Sequence, residues 1–326
     1  MRLVALGAVL AVVGGLLAPS PAVARVPDGL EVTGWIIDDG HNLVRKNHGG
    51  ITTLSIVGVP IWRSGEGVRR ATYEMDDLSR HGHDFDLHTE LLVSNYSNRL
   101  GDFDPVALHR LLSSPENRAA VVDRLVLEQY DYDGFNVDFE RVRAADGPGL
   151  VAFVEELQAA LPEASTVSVD ISAATSVRSY RQRGYRLARL AGAADVVDVM
   201  TYDQHGPWSR PGPVGALDWQ RDALDALLSV VPATQVQLGV AGYGYTWPRH
   251  GRGRSLTVRQ VRSTIKRDGA TAHWRPGPGE WTTRLSDGTR LWWSDGRSYE
   301  ERVALAREYG VRGLAVWRIG SADTLR

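Results

Sequence analysis

The chain is predicted to fold as an α/β protein, a (β/α)8 TIM barrel with a small α+β insertion between strands 7 and 8. Three observations point there. From Glu31 onward, short apolar runs alternate about eight times with longer amphipathic stretches, the pattern of repeated βα units. The 326 residues, 43% of them hydrophobic, suit a barrel of about 250 residues plus insertions. One stretch, Gly244 to Arg297, is too long for an ordinary connection and so reads as an insertion.

In chain order, Met1 to Ala24 has a basic start at Arg2, an apolar run from Leu3 to Leu17 and a small-residue Ala22-Val23-Ala24 site. It reads as a secretory signal peptide, residues 1–24, and the apolar run is short for a membrane span. Residues 25–326 then form the barrel, with the insertion at about 246–297. Strands are predicted at Val32–Ile37, Thr53–Val59, Glu90–Ser94, Gly134–Phe139, Val167–Ile171, Val196–Thr201, Gln235–Val240 and Gly313–Trp317. Helical periodicity covers Asp104–Tyr130, Leu150–Leu161, Trp219–Val230 and Tyr299–Tyr309. Within the insertion, Thr257-Val258-Arg259-Gln260-Val261 looks like the start of a helix, and Trp281–Leu285 with Arg290–Trp293 like a hairpin around Asp287-Gly288.

A net charge of −2 gives no electrostatic case for nucleic acid or an anionic membrane as partner. Arg far outnumbers Lys, which occurs only at Lys46 and Lys266, a composition bias and not a phosphate site. Without cysteine there are no disulfides, so an exported fold must depend on a large core, which a barrel supplies. No upstream repeat or Ser/Pro linker suggests an anchoring module. The chain is expected to act as a monomer without a stable membrane anchor.

The chemistry is concentrated in Asp133-Gly134-Phe135-Asn136-Val137-Asp138-Phe139-Glu140. Side chains alternate along a strand, so Asn136, Asp138 and Glu140 share one face while Phe135, Val137 and Phe139 share the other. Carboxylates on a buried face are costly unless paired, so the row points to catalysis more than to packing. A solvated edge strand is the other reading of the pattern alone. In a barrel of this kind the site lies at the C-terminal strand ends, which makes Glu140 the best-placed acid. Asp133 is expected to close the preceding turn through an Asx hydrogen bond.

This segment resembles the DGxDxDxE signature of the glycoside hydrolase family 18 chitinases, with Asn136 in place of the first Asp of the DxDxE part. The variant DGxNxDxE is similar to the spore-germination, peptidoglycan-acting branch of that family. Further points of resemblance follow along the chain. Met200-Thr201-Tyr202-Asp203 resembles the MxYD motif, and Gly239 to Tyr245 resembles a GxPxYG segment with Ala241 where Pro is usual. Trp317 matches a Trp of the last strand, and Val93 to Asn98 is closer to the peptidoglycan-acting branch than to the SxGG of many chitinases.

The resemblance implies a catalytic set of Glu140, Asp138 and Tyr202. Glu140 would protonate the leaving glycosidic oxygen, Asp138 would orient the substrate's acetamide, and Tyr202 would hold the acetamide oxygen for attack on the anomeric carbon, a substrate-assisted route. Asn136, Asp203, Tyr243, Trp317, Trp62 and Asn95 are the expected substrate-binding residues. Asn136 is expected to donate to Asp138, leaving it ionised over more of the pH range. His81, His83 and His88 with Asp84, Asp86 and Glu90 fit no common ligand spacing, and the glycines form no phosphate loop, so neither metal nor cofactor is expected. The expected function is a secreted, extracellular or wall-located retaining glycosidase acting on β-1,4 bonds of N-acetylglucosamine in peptidoglycan or its fragments. The alternatives are a chitinase or chito-oligosaccharide hydrolase, or a catalytically silent sugar-binding barrel.

Overall fold

A computed structural model describes residues 26–37 and 40–325. The proposed signal peptide lies outside the described residues. Eight parallel strands close into a barrel in sequence order: Glu31–Ile36, Thr53–Pro60, His88–Ser94, Gly134–Asp138, Thr166–Ser172, Val196–Met200, Val236–Ala241 and Gly313–Trp317. The first strand closes on the eighth, Glu31 pairing with Gly313 and Gly34 with Val316. Each predicted strand is present, with no end shifted by more than two residues. Among the described residues no helix is long and apolar enough to cross a membrane.

The two faces of the strands differ as alternation requires. Outward-facing Phe135, Val137 and Phe139 are buried in the main apolar core, with the Phe139 ring 5.1 Å from that of Phe153 on the helix Gly147–Ala160. Large side chains buried this way stabilise the fold by roughly 1.5–3 kcal/mol each. Inward, the barrel is unusually polar: Thr33, Ser55, Glu90, Asn136, Asp138, Ser168, Asp170, Asp198 and Gln237 are all buried. A small apolar plug of Trp35, Leu92 and Ala315, flanked by Val57 and Trp317, fills the remainder.

The predicted helix Asp104–Tyr130 is two helices, Pro105–Ser113 and Pro115–Val126. Pro115 cannot donate to the preceding turn, and Ser114 accepts from Asn117 N at 3.1 Å as the cap of the second helix. Helices at Tyr73–His83, Val177–Gln182 and Leu187–Ala193 complete connections that the periodicity left open.

The insertion is a five-stranded antiparallel sheet carrying one helix. Its strand order is Ser255–Thr257, Tyr243–Trp247, Arg290–Trp293, Glu280–Arg284, His273–Arg275. The predicted hairpin forms, and Thr257 and Gln260 make a reciprocal capping box at the start of the helix Val258–Asp268. The sheet starts earlier than expected, because the seventh barrel strand stops at Ala241 and Tyr243 already belongs to the insertion. Gly242 makes the break: its N–H donates to Trp317 O at 2.7 Å, and a Cβ there would lie 2.3 Å from Ala322 Cβ. Glu280 fastens the insertion to the barrel, accepting from Val214 N at 2.7 Å and Gly215 N at 2.8 Å while facing Arg302 at 3.5 Å.

Candidate active site

Strand alternation and the turn after the fourth strand place the acids. Asp138 is the strand's last residue and is 8% exposed, while Glu140 is half-buried just beyond it. Arg141 follows with a φ of +58°, in the left-handed region, and its guanidinium pairs with Asp102. Asp203, after the sixth strand, also has a positive φ of +60°. Such positions cost about 1–3 kcal/mol each in non-glycine residues, and here they turn the chain sharply at both acids.

Asp138, Glu140, Tyr202, Asp203 and Trp317 converge on one cleft of about 660 Å³, together with Asp170, Ser94, Tyr96 and Met200. Two further hollows, of about 400 and 340 Å³, share Asp203 with this cleft, and the first also shares Glu140 and Tyr202. The three hollows thus adjoin at Asp203.

Burial raises the Asp138 carboxyl above the ordinary range, opposed only by a 3.3 Å hydrogen bond from Ser94 Oγ. Its Oδ1 is buried and receives no hydrogen bond. Glu140 is raised as well, first by burial and then by Asp138, Asp203 and Asp102, with Arg141 opposing. Buried carboxyls that raise one another do not both ionise readily, so at least one proton is retained between them. The phenol of Tyr202 is pushed well above its usual value by burial and by Asp170, Glu140, Asp138 and Asp203, which keeps it a neutral donor. Asp203 is held by Tyr243 Oη and by Tyr245 Oη, the latter at 2.8 Å. Trp317 is half-buried, its ring 5.8 Å from that of Trp35 at a tilt of 58°.

Three expected substrate contacts take other roles. Asn136 is fully buried and satisfied by protein groups: its Nδ2 donates to Ser168 Oγ and Asp170 Oδ1, both at 2.9 Å, and its Oδ1 accepts from Trp35 Nε1 at 3.0 Å and Ser55 Oγ at 3.4 Å. With both amide hydrogens committed, it does not donate to Asp138, and Asp138 is shifted toward the protonated form instead of being kept ionised. Asn95 is 1% exposed and grips the peptide of Glu140, accepting from its N–H at 2.9 Å and donating to its C=O at 3.0 Å. Trp62 lies outside the cleft lining, with the Arg124 guanidinium 4.9 Å from its ring centroid. Asp133 is structural, but through a brace between strands and not an Asx turn, accepting from Thr89 N at 2.8 Å and facing His83 Nε2 at 2.9 Å.

Sequence reasoning passed over Asp170, Asp198, Ser94, Trp35 and Tyr245. The signal for Asp170 was present, because Ser168, Asp170 and Ser172 alternate with apolar residues along the fifth strand as Asn136 and Asp138 do along the fourth. Asn95 gave no such signal, since its partner is a backbone.

Comparison with known proteins agrees with this geometry. Residues 80–322 match the profile of the glycosyl hydrolases family 18. An uncharacterised glycosylase of Bacillus subtilis, YvbX, is 28% identical over 247 residues, 72% of this chain and 72% of its own length. The cortical fragment-lytic enzyme of the same organism is 24% identical over 252 residues, 71% of this chain and 56% of that protein, so the chain spans a little over half of it. Among solved structures, a chitinase from Chromobacterium violaceum has a TM-score of 0.82 at 25% identity, covering 90% of this chain and 95% of its own. The Bacillus cereus spore cortex-lytic enzyme SleL has a TM-score of 0.81 at 17% identity, over 91% of this chain and 72% of its own, a likeness of fold.

Proposed function

The chain belongs to the glycosyl hydrolases family 18 and is a glycoside hydrolase, and we propose that it is a retaining enzyme cutting β-1,4 bonds of N-acetylglucosamine in peptidoglycan or its fragments. The observation that carries the mechanism is that Asp138 and Glu140, two carboxyls raised by burial, line one cleft with a neutral Tyr202. Glu140 retains its proton above the ordinary carboxyl range and delivers it to the leaving glycosidic oxygen as that bond breaks. The substrate's acetamide oxygen bonds to the anomeric carbon, giving an oxazolinium ion whose N–H is held by Asp138. Water then attacks the anomeric carbon as its bond to the acetamide oxygen breaks, and Glu140 takes back a proton from that water. Asp203, already tethered by two phenols, suits bracing more than a second catalytic carboxylate.

The peptidoglycan preference is supported by Asn136 in the acidic motif and by the names of the cortex-lytic relatives. The likeness to a chitinase at 25% identity favours chito-oligosaccharide hydrolysis as the second reading. Export through residues 1–24 to the extracellular space or wall, and action as a monomer without a membrane anchor, complete the proposal. Mass spectrometry of products from purified peptidoglycan and from chitohexaose separates the two readings. New reducing-end N-acetylglucosamine from the wall, with little turnover of chitohexaose, is expected, and the reverse would assign the enzyme to chitin oligomers.

A further inference from the structure

Beneath the cleft lies a row of carboxyls on three neighbouring strands. Asp170 on the fifth strand pairs in register with Asp198 on the sixth. Val137 pairs with Val169, so Asp138 on the fourth strand and Asp170 occupy the next level together. Neighbouring strands are about 4.8 Å apart, and the three residues are 8%, 3% and 1% exposed in the order Asp138, Asp170, Asp198. Two of them, Asp138 and Asp170, line the same cleft.

The hydrogen bonds give the row a direction. Asn136 donates to Asp170 Oδ1 at 2.9 Å and so fixes the side chain that stands beside Asp138. Asp198 faces Asp170 in register across the two strands, and two buried carboxyls so placed repel unless one of them carries a proton. With its amide oriented to suit its neighbours, Gln237 donates to Asp198 Oδ1 at 3.3 Å and to Leu314 O at 3.0 Å, closing the far end. At the near end, Asp138 Oδ1 is buried and unpartnered. An amide at position 136 orients its neighbours but cannot accept and return a proton.

We propose that Asp170 is a positioning residue that holds the proton Asp138 exchanges, a task that the amide of Asn136 cannot perform. The idea rests on the role given to Asp138 above. When substrate enters, the O–H bond of the Asp138 carboxyl breaks and its proton passes to the Asp170 carboxylate. Asp138 becomes the anion beneath the oxazolinium, Asp170 becomes neutral, and the total charge is unchanged. Product release reverses the transfer. The acidic groups bearing on Asp170 are Glu90 from the third strand, Asp138 from the fourth and Asp198 from the sixth, with Tyr202 above. Glu31 and Arg312 act on the row through Asp198. Burial first, and then Asp138 and Asp198 around Asp170 and Glu90 around Asp198, raises both carboxyls, consistent with fewer charges than carboxyls.

Steady-state kinetics against pH for the wild type, Asp170→Asn and the double variant Asn136→Asp/Asp170→Asn test the proposal. Asp170→Asn is expected to lower kcat by about tenfold or more with KM nearly unchanged. Its acidic limb should move to lower pH, since one fewer acid presses on Asp138. The double variant returns the proton partner to the fourth strand and should recover part of the lost kcat, whereas a purely structural role would give two losses that add. Wild-type kcat and an unmoved limb in Asp170→Asn would overturn the proposal. Carbon-13 NMR titration of the wild-type carboxyls provides a readout independent of turnover and of variant folding. Coupled steps shared by Asp138 and Asp170 are expected, and independent ionisation of Asp170 in the ordinary carboxyl range would refute it. Coupled titration in a protein that turns over no N-acetylglucosamine glycan would sink the functional reading while leaving the proton sharing intact.

Discussion

Asn95 shows how a residue shapes the site without entering it. Its amide holds both the N–H and the C=O of the Glu140 peptide, just where the chain enters the left-handed turn at Arg141. Replacing it with Ala leaves two buried backbone groups without those partners, at a cost of about 1–3 kcal/mol for each group left unsatisfied. Asn95→Ala should therefore lower the melting temperature and reduce kcat by about tenfold or more, since a misplaced acid costs rate steeply. Asn95→Asp should recover less than an isosteric change suggests, because a carboxylate accepts from Glu140 N–H but cannot donate to its carbonyl. Unchanged kcat in Asn95→Ala would show that the turn holds Glu140 without the clamp.

Among the elements, the barrel strands were legible because side-chain alternation and buried apolar runs are local properties of the chain. The fourth strand announced Asp138 and Glu140 in the same way. The fifth strand carried an equal signal in Ser168, Asp170 and Ser172, but it meant little until the register placed Asp170 beside Asp138. Asn136 was misread because alternation tells which face a side chain takes, not which neighbour it bonds. Its partners come from the first, second and fifth strands, at sequence separations of 32 to 101 residues. Trp62 follows the second strand but lies outside the cleft lining, against Arg124 of a helix that periodicity alone merges with its neighbour. The insertion's hairpin was local and readable, whereas its attachment through Glu280 and Arg302 joins segments far apart in the chain.

For the whole molecule, the polar barrel interior has a cost that depends on pH. Burial raises Glu90 to about 7, opposed by hydrogen bonds from Ser168 and Thr166. A carboxyl raised in the folded state binds a proton that the unfolded chain releases, so stability is highest at low pH and falls as pH rises from the unfolded value through the folded one. For Glu90 that window runs from about 4.5 to about 7. Thermal unfolding of Glu90→Gln should show a shallower loss than the wild type across this window, by at most about 1.4 kcal/mol per pH unit, and parallel curves would contradict the assignment. Burial, with Asp138 and Asp203, likewise raises the Glu140 carboxyl at the cleft, and the proposed hydrolysis depends on its proton. The most direct measurement is therefore the turnover and glycan binding of Glu140→Gln, an amide of equal size that cannot protonate a leaving group. Loss of peptidoglycan and chito-oligosaccharide hydrolysis with retained fold and binding is the predicted result, and a variant that kept full activity on both would show that Glu140 is not the acid.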